Sequence, residues 1–275
     1  MSVVCEVCFH HCLLEDEQIG RCRARKALEG KSFSVNYGKI TSIALDPIEK
    51  KPLQKFFPGS TILSLGSFGC NLSCPFCQNH SISMIGEEEA EYQLILPDDA
   101  VKLALREKER GNIGIAFTYN EPLIGYEYVR DTARLIRNEG MKNVAVTNGC
   151  VTQSTALAVL PYIDALNIDL KTFRDSSYKK LGGDLETVKK FIQTAHEYAH
   201  IELTTLIVPG LNDDVDEIEE LSSWVASIDP EIVLHVSRFF PAWKMDQVRP
   251  TQVELVYELA KAARNHLKYV YTGNC

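Results

Sequence analysis

The chain has 275 residues, 45% hydrophobic and 24% charged, with 29 Lys and Arg against 37 Asp and Glu for a net charge of −8. Such a chain can bury a sizeable core without cross-links, in one large α/β domain or two modest ones. Its acidic balance argues against a general nucleic-acid binder, which needs a basic surface. No apolar run approaches the roughly 18 residues of a membrane helix. The opening MSVVCEVCFHHC has neither the basic nor the apolar region of a secretory signal, so a cytoplasmic location is expected.

Residues 1–30 are rich in cysteine and charge with weak periodicity, as expected of a small metal-organised segment. SFSVNYGKITSIAL at 32–45 alternates polar and apolar residues around Tyr37-Gly38 and predicts a β-hairpin. DPIEKKPLQKFFPG at 46–59 holds three prolines and predicts an extended connector that packs Phe56 and Phe57. These features make residues 1–58 a cysteine-rich metal-binding and hairpin segment, with a second unit from 59 to 275.

From Thr61 the pattern changes. Short apolar runs at 61–67, 113–118, 143–148, 164–170, 201–208 and 232–237 predict strands. Helical patterns lie near 97–110, 123–139, 152–160, 185–199 and 214–227, and a last helix near 251–266 precedes a short strand, YVYT. Mostly apolar strands alternating with helices indicate parallel strands covered by helices. Six such units fit a partial or full barrel of the triosephosphate isomerase type, with a doubly wound sheet as the competing arrangement. Glu87–Glu89 reads as a solvated turn.

Nine cysteines stand out, an odd number that does not suit a disulfide framework. Seven fall in two short clusters, where one loop can wrap one metal centre. Directly after the first barrel-like strand, GCNLSCPFCQN places Cys70, Cys74 and Cys77 in a C-x3-C-x2-C array. Shuffling this composition would produce that spacing in only about one chain in a hundred. Three thiolates on one loop suit a [4Fe–4S] cluster with one iron free for a non-protein ligand. A zinc site would need a fourth ligand, which His80 could supply.

This array resembles the signature of radical S-adenosylmethionine (SAM) enzymes. The resemblance implies that SAM chelates the open iron through its amino and carboxylate groups. It also implies reductive cleavage to methionine and a 5′-deoxyadenosyl radical that abstracts hydrogen. Phe76, before the last cysteine, would pack near the adenine. TYNEP at 118–122 stands where the family carries a Gly-Gly-Glu-Pro-like motif, so Glu121, helped by Asn120, would accept from the SAM ammonium. Tyr119 and Asn120 replace the two glycines, which departs from the pattern. Thr147 and Asn148 in TNG, and Asp169 and Lys171 in NIDLK, resemble glycyl-radical-enzyme activating proteins, such as the pyruvate formate-lyase activating enzyme. In a barrel these strand ends would line the active site. LIVPG at 206–210 is similar to the same group. His235 and Arg238, in LHVSRFFP, would lie near the methionyl carboxylate or the substrate, Arg238 as a bidentate carboxylate anchor.

Cys5, Cys8, Cys12 and Cys22 supply four more thiolates within eighteen residues. They suit a structural zinc or a fully ligated Fe–S cluster, and His10 or His11 could replace one cysteine. Free thiols, or ligands reaching the main cluster, are the remaining alternative. This segment, with YGKITSIALDPIEKKPL and the cysteine loop, closely resembles the AmmeMemoRadiSam system radical SAM enzymes over nearly the whole chain. Many members of that subgroup continue past a YVY-x-GN segment into a cysteine-bearing tail, whereas YVYTGNC ends this sequence. Cys275 reads as a remnant of that tail, and Cys150 as an ordinary packed thiol.

The expected function is therefore a radical SAM enzyme, with glycyl-radical-enzyme activation as the nearest analogue. Radical modification of a small molecule or peptide is the rival within the class. A non-catalytic Fe–S scaffold or electron carrier is the reading from another class. The chemistry implies a reductant such as flavodoxin or ferredoxin. The acidic charge makes tRNA an unlikely target, and no membrane partner is expected.

Overall fold

A computed structural model describes residues 1–275. Eight strands form one sheet: β1 (Ser42–Pro47), β2 (Thr61–Gly66), β3 (Asn112–Phe117), β4 (Lys142–Thr147), β5 (Ala165–Asp169), β6 (His200–Ile207), β7 (Val233–Arg238) and β8 (Val270–Gly273). Their spatial order is their chain order. β1 pairs antiparallel with β2, and every pairing from β2 to β8 is parallel.

That order decides between the two candidate architectures. A doubly wound sheet reverses its strand order at a switch point. Here each crossover steps to the next strand in one direction, and connections of the usual right hand then keep the helices on one side and curl the sheet towards a barrel. β1 and β8 do not pair, so the barrel is partial. The helices are α1 (Pro97–Arg106), α2 (Tyr126–Asn138), α3 (Gln153–Val159), α4 (Leu185–Tyr198), α5 (Val215–Ile228) and α6 (Val253–Ala263). Their starts follow local chemistry. Pro97 opens α1, and the side chains of Thr152, Asp184 and Asp214 accept from the amides of Thr155, Thr187 and Glu217 to cap α3, α4 and α5. No helix is long and apolar enough to cross a membrane.

Apolar faces of sheet and helices form the main core, with Ile115, Leu166, Ile168, Leu203 and Leu234 fully buried. A smaller cluster of Ile48, Leu53, Phe56, Ile62, Ala116, Val144 and Ala165 fills the opposite end of the barrel. There the 48–57 connector crosses the barrel mouth, and Glu202 of β6 accepts from the Gln54 and Lys55 amides at 3.0 and 2.7 Å. Phe56 packs inward as expected, but Phe57 is half exposed.

The expected hairpin at 32–45 is not formed. Gly38 does turn the chain, at φ 69°. The flanking segments, however, find other partners: Lys31–Ser34 pairs with Arg25–Leu28, and Lys39–Ile40 with Gln93–Leu94. The real hairpin turns at Glu29-Gly30, where φ values of 51° and 73° match the two left-handed positions of a tight hairpin turn. Two further short helices, His80–Ser83 and Asp175–Lys180, have no counterpart in the sequence pattern, being too brief to show a helical period.

Candidate active site

The loop from Ser67 to Asn79 leaves the carboxyl end of β2 and carries the three cysteines. Gly69 (φ 86°) turns it, Cys70 N donates to Cys22 O at 3.1 Å, and Cys77 N donates to Cys74 O at 3.2 Å. All three thiols face one cavity of about 310 Å³ at the carboxyl ends of the strands, and Phe76 joins them in its wall. The Leu72 amide donates to Cys70 Sγ at 3.4 Å and Asn148 Nδ2 to the same sulfur at 3.6 Å. Burial pushes the Cys74 thiol up to about 11 and raises Cys70 and Cys77 as well.

No fourth thiol reaches them. Cys150 is fully buried, with its sulfur towards the Asp184 carbonyl at 3.8 Å, and Cys275 is exposed at the chain end. His80 is engaged elsewhere: Nδ1 meets Cys77 O at 3.2 Å and the ring stacks on Trp243. The zinc arrangement closed by His80 is therefore not built. No three His, Cys, Asp or Glu side chains converge on a single-ion site, in this loop or at the amino terminus. Thiols that share one cavity without converging suit a polynuclear cluster, whose ligands stand further apart.

A sequence model of the Radical SAM superfamily matches residues 65–225, which run from the end of β2 through the cysteine loop to α5. The chain belongs to the radical SAM superfamily. An uncharacterized protein of Methanocaldococcus jannaschii is 39% identical over 277 residues, 99% of this chain and 81% of the relative. GTP 3′,8-cyclase of Limosilactobacillus fermentum is 25% identical over 205 residues, 70% of this chain and 59% of the cyclase. The pyruvate formate-lyase-activating enzyme of Clostridium pasteurianum is 25% identical over 166 residues, 58% of this chain and 67% of that enzyme. Among solved structures, QueE from Escherichia coli superposes with a TM-score of 0.56 at 14% identity, covering 85% of this chain and 92% of that one. Cleavage of SAM at an iron–sulfur cluster is general to this superfamily.

The structure places the remaining expected residues differently. Glu121, Thr147 and Asn148 form a buried junction in the cavity wall. Glu121 accepts from Leu123 N at 2.9 Å, Thr147 Oγ1 at 2.7 Å and Asn148 N at 2.7 Å. Burial pushes its carboxyl up to about 7, against the pull of these three donors. Asp169 and Lys171 form an ion pair across the cavity wall at 3.0 Å. Burial works to strip the Lys171 proton, but Asp169 and the nearby Cys74 hold its pKa above the usual lysine range.

Asn120 lines the cavity, yet its amide is already occupied. Oδ1 accepts from Ser67 N at 3.0 Å, while Nδ2 donates to the Phe68 and Gly69 carbonyls at 3.1 Å each. It clamps the start of the cysteine loop rather than extending the Glu121 acceptor. Two expected residues lie outside the cavity. His235 points to the opposite end of the barrel, its Nε2 held by Glu202 at 2.6 Å. Its position in the middle of β7, three residues before the strand end, accounts for this. Arg238 donates from Nε to the Thr251 carbonyl at 2.7 Å and lies over the Phe240 ring.

Sequence reasoning passes over two contributors. Asn71, directly after Cys70, donates to the Cys150 carbonyl at 2.8 Å and accepts from Asn148 at 2.9 Å, joining the β2 and β4 loops. Tyr119 adopts φ 73°, donates to Asp46 at 2.7 Å and lies 4.6 Å beneath Lys51 Nζ, itself ion-paired with Asp46 at 2.8 Å. The only sequence signal for this anchor is the departure of Tyr119 from the glycine of the family motif.

Proposed function

We propose that this protein is a radical SAM enzyme in which Cys70, Cys74 and Cys77 hold a [4Fe–4S] cluster with one iron left for SAM. The carrying observation is that these three thiols alone, with no fourth protein ligand, face a strand-end cavity large enough for a small cofactor. When bound and reduced, the cluster supplies the electron that cleaves SAM to methionine and a hydrogen-abstracting 5′-deoxyadenosyl radical.

The chain's own residues bind and orient. A carboxylate has about four acceptor sites. Glu121 uses three on protein donors, which leaves one for the SAM ammonium and fixes its direction. Lys171, kept charged by Asp169, offers the cavity a cation for a carboxylate or phosphate oxygen. Phe76 supplies an apolar wall for the adenine. The four amino-terminal cysteines take a second metal, zinc or iron–sulfur, in a segment over 1–58 that precedes the barrel from 59. A flavodoxin or ferredoxin provides the electron, in a reducing compartment such as the cytoplasm.

For the target, activation of a glycyl-radical protein accords with the activating-enzyme relatives. Modification of a small molecule is the second reading, favoured by the longer match to GTP 3′,8-cyclase, 205 residues against 166. Anaerobically reconstituted protein given SAM and dithionite should release 5′-deoxyadenosine. No product above a Cys74→Ala control would leave a non-catalytic iron–sulfur scaffold.

A further inference from the structure

The amino-terminal segment touches the catalytic loop at its most consequential point. The Cys22 carbonyl accepts the amide of Cys70 itself at 3.1 Å. His10 Nε2 holds the Asn71 carbonyl at 2.9 Å. Between these contacts Gly69 passes so close that a Cβ there would sit 2.5 Å from the Cys22 carbonyl oxygen. On the other side, Cys8 bridges to Val151 and the Val7 carbonyl accepts from Thr152 N at 3.0 Å. Residues 5–22 thus grip both the loop after β2 and the loop after β4.

What makes this grip rigid is not an apolar core. The segment's own apolar cluster is small, Cys5, Val7, Leu14 and Ala27. Its four cysteines instead sit within one small segment, Cys5, Cys8 and Cys22 buried and Cys12 half-buried, without three of them converging on a single-ion site. Cys5 N donates to Cys12 O at 2.9 Å, which closes a short hairpin with Cys5 and Cys12 at its neck. The two histidines are committed elsewhere, His10 to Asn71 and His11 to Glu6 at 3.2 Å, so the ligand set is sulfur alone.

From this juxtaposition we infer that Cys5, Cys8, Cys12 and Cys22 hold a thiolate-bound metal centre that acts as a clamp, positioning the catalytic loop through Cys22–Cys70 and His10–Asn71. The clamp rests on the second-metal reading above. It adds an asymmetric dependence: the amino-terminal centre forms without the catalytic cluster, but the catalytic cluster is retained poorly without the amino-terminal centre.

The test uses the full chain, reconstituted anaerobically with iron and sulfide in the presence of zinc. A Cys70→Ala/Cys74→Ala/Cys77→Ala variant should keep one bound centre, zinc or iron with sulfide according to which metal the four thiolates take. If it keeps neither metal while its circular dichroism is native, the second metal itself is refuted. A Cys8→Ser/Cys22→Ser variant should lose its catalytic cluster to a chelator about fivefold or more faster than wild type, the loss of roughly one net hydrogen bond at the loop. His10→Ala, which leaves all nine cysteines in place, should speed that loss in the same direction. Unchanged loss rates in both variants, with the amino-terminal metal shown present in wild type, would overturn the clamp alone. Failure of the radical SAM reading is separate, since it would appear as a wild-type chain with no cluster for the triple variant to lose.

Discussion

Glu121 is the residue on which the candidate site turns, because it is fully enclosed yet carries a carboxylate. Its three donors come from the turn after β3 and from the end of β4, so it holds two strand ends together while facing the cavity. Glu121→Gln keeps the shape but turns an NH2 group towards an N–H or O–H donor. We expect a loss of about 2 kcal/mol in urea unfolding, the cost of a buried donor left unsatisfied. SAM affinity should fall about tenfold, near 1.4 kcal/mol, because the ammonium loses its anionic partner. Isothermal titration of the reconstituted protein would show it, and unchanged affinity would move the ammonium site away from Glu121. Tyr119 and Asn120 show a similar economy. Where the family pattern carries two glycines, one residue is pinned through Asp46 and Lys51 and the other holds the cysteine loop.

At the scale of elements, the cysteine loop is wedged between the amino-terminal segment and the barrel. Gly69 is the contact point, and its φ of 86° lies where side chains are strained. Gly69→Ala adds a clash with the Cys22 carbonyl to that strain, and we expect a loss of at least about 2 kcal/mol together with reduced iron uptake. Gly210 is the control. It has φ 75° with nothing within 4 Å of the place a methyl group would occupy, so Gly210→Ala should cost only the backbone strain of about 1 kcal/mol. Equal unfolding midpoints for the two variants would show that the loop is not gripped.

For the molecule as a whole, the closed end of the barrel depends on one buried carboxylate. Glu202 accepts from two connector amides, from His200 at 3.0 Å and from His235 at 2.6 Å. Burial would raise its pKa, but these partners prevail and hold it at about 2, below the ordinary 4.5. The stabilisation is complete above pH 4.5 and drains away as pH falls towards about 2, amounting to about 3 kcal/mol. Glu202→Gln should flatten that acid limb in unfolding curves recorded from pH 6 to pH 2. An unchanged limb would place the acid sensitivity elsewhere.

Much of this architecture is legible in the chain itself. The parallel strands and their helices follow from apolar runs and helical periods, because burial on a sheet or helix face is written locally. The three cysteines of the cavity are legible because one loop of eight residues carries them all. The order of strands, the partners of Lys31–Ser34 and the direction of His235 are not. They depend on contacts between residues tens to more than a hundred positions apart, as with Glu202 and the Gln54 amide. The sequence alone determined which thiols share one loop and which segments build the barrel. Only the tertiary structure decided that Asn120 serves the loop, that His235 serves the barrel's far end, and that Cys22 rests on Cys70. Spacing along a chain encodes what neighbours can do, whereas a hydrogen-bond partner is chosen by packing.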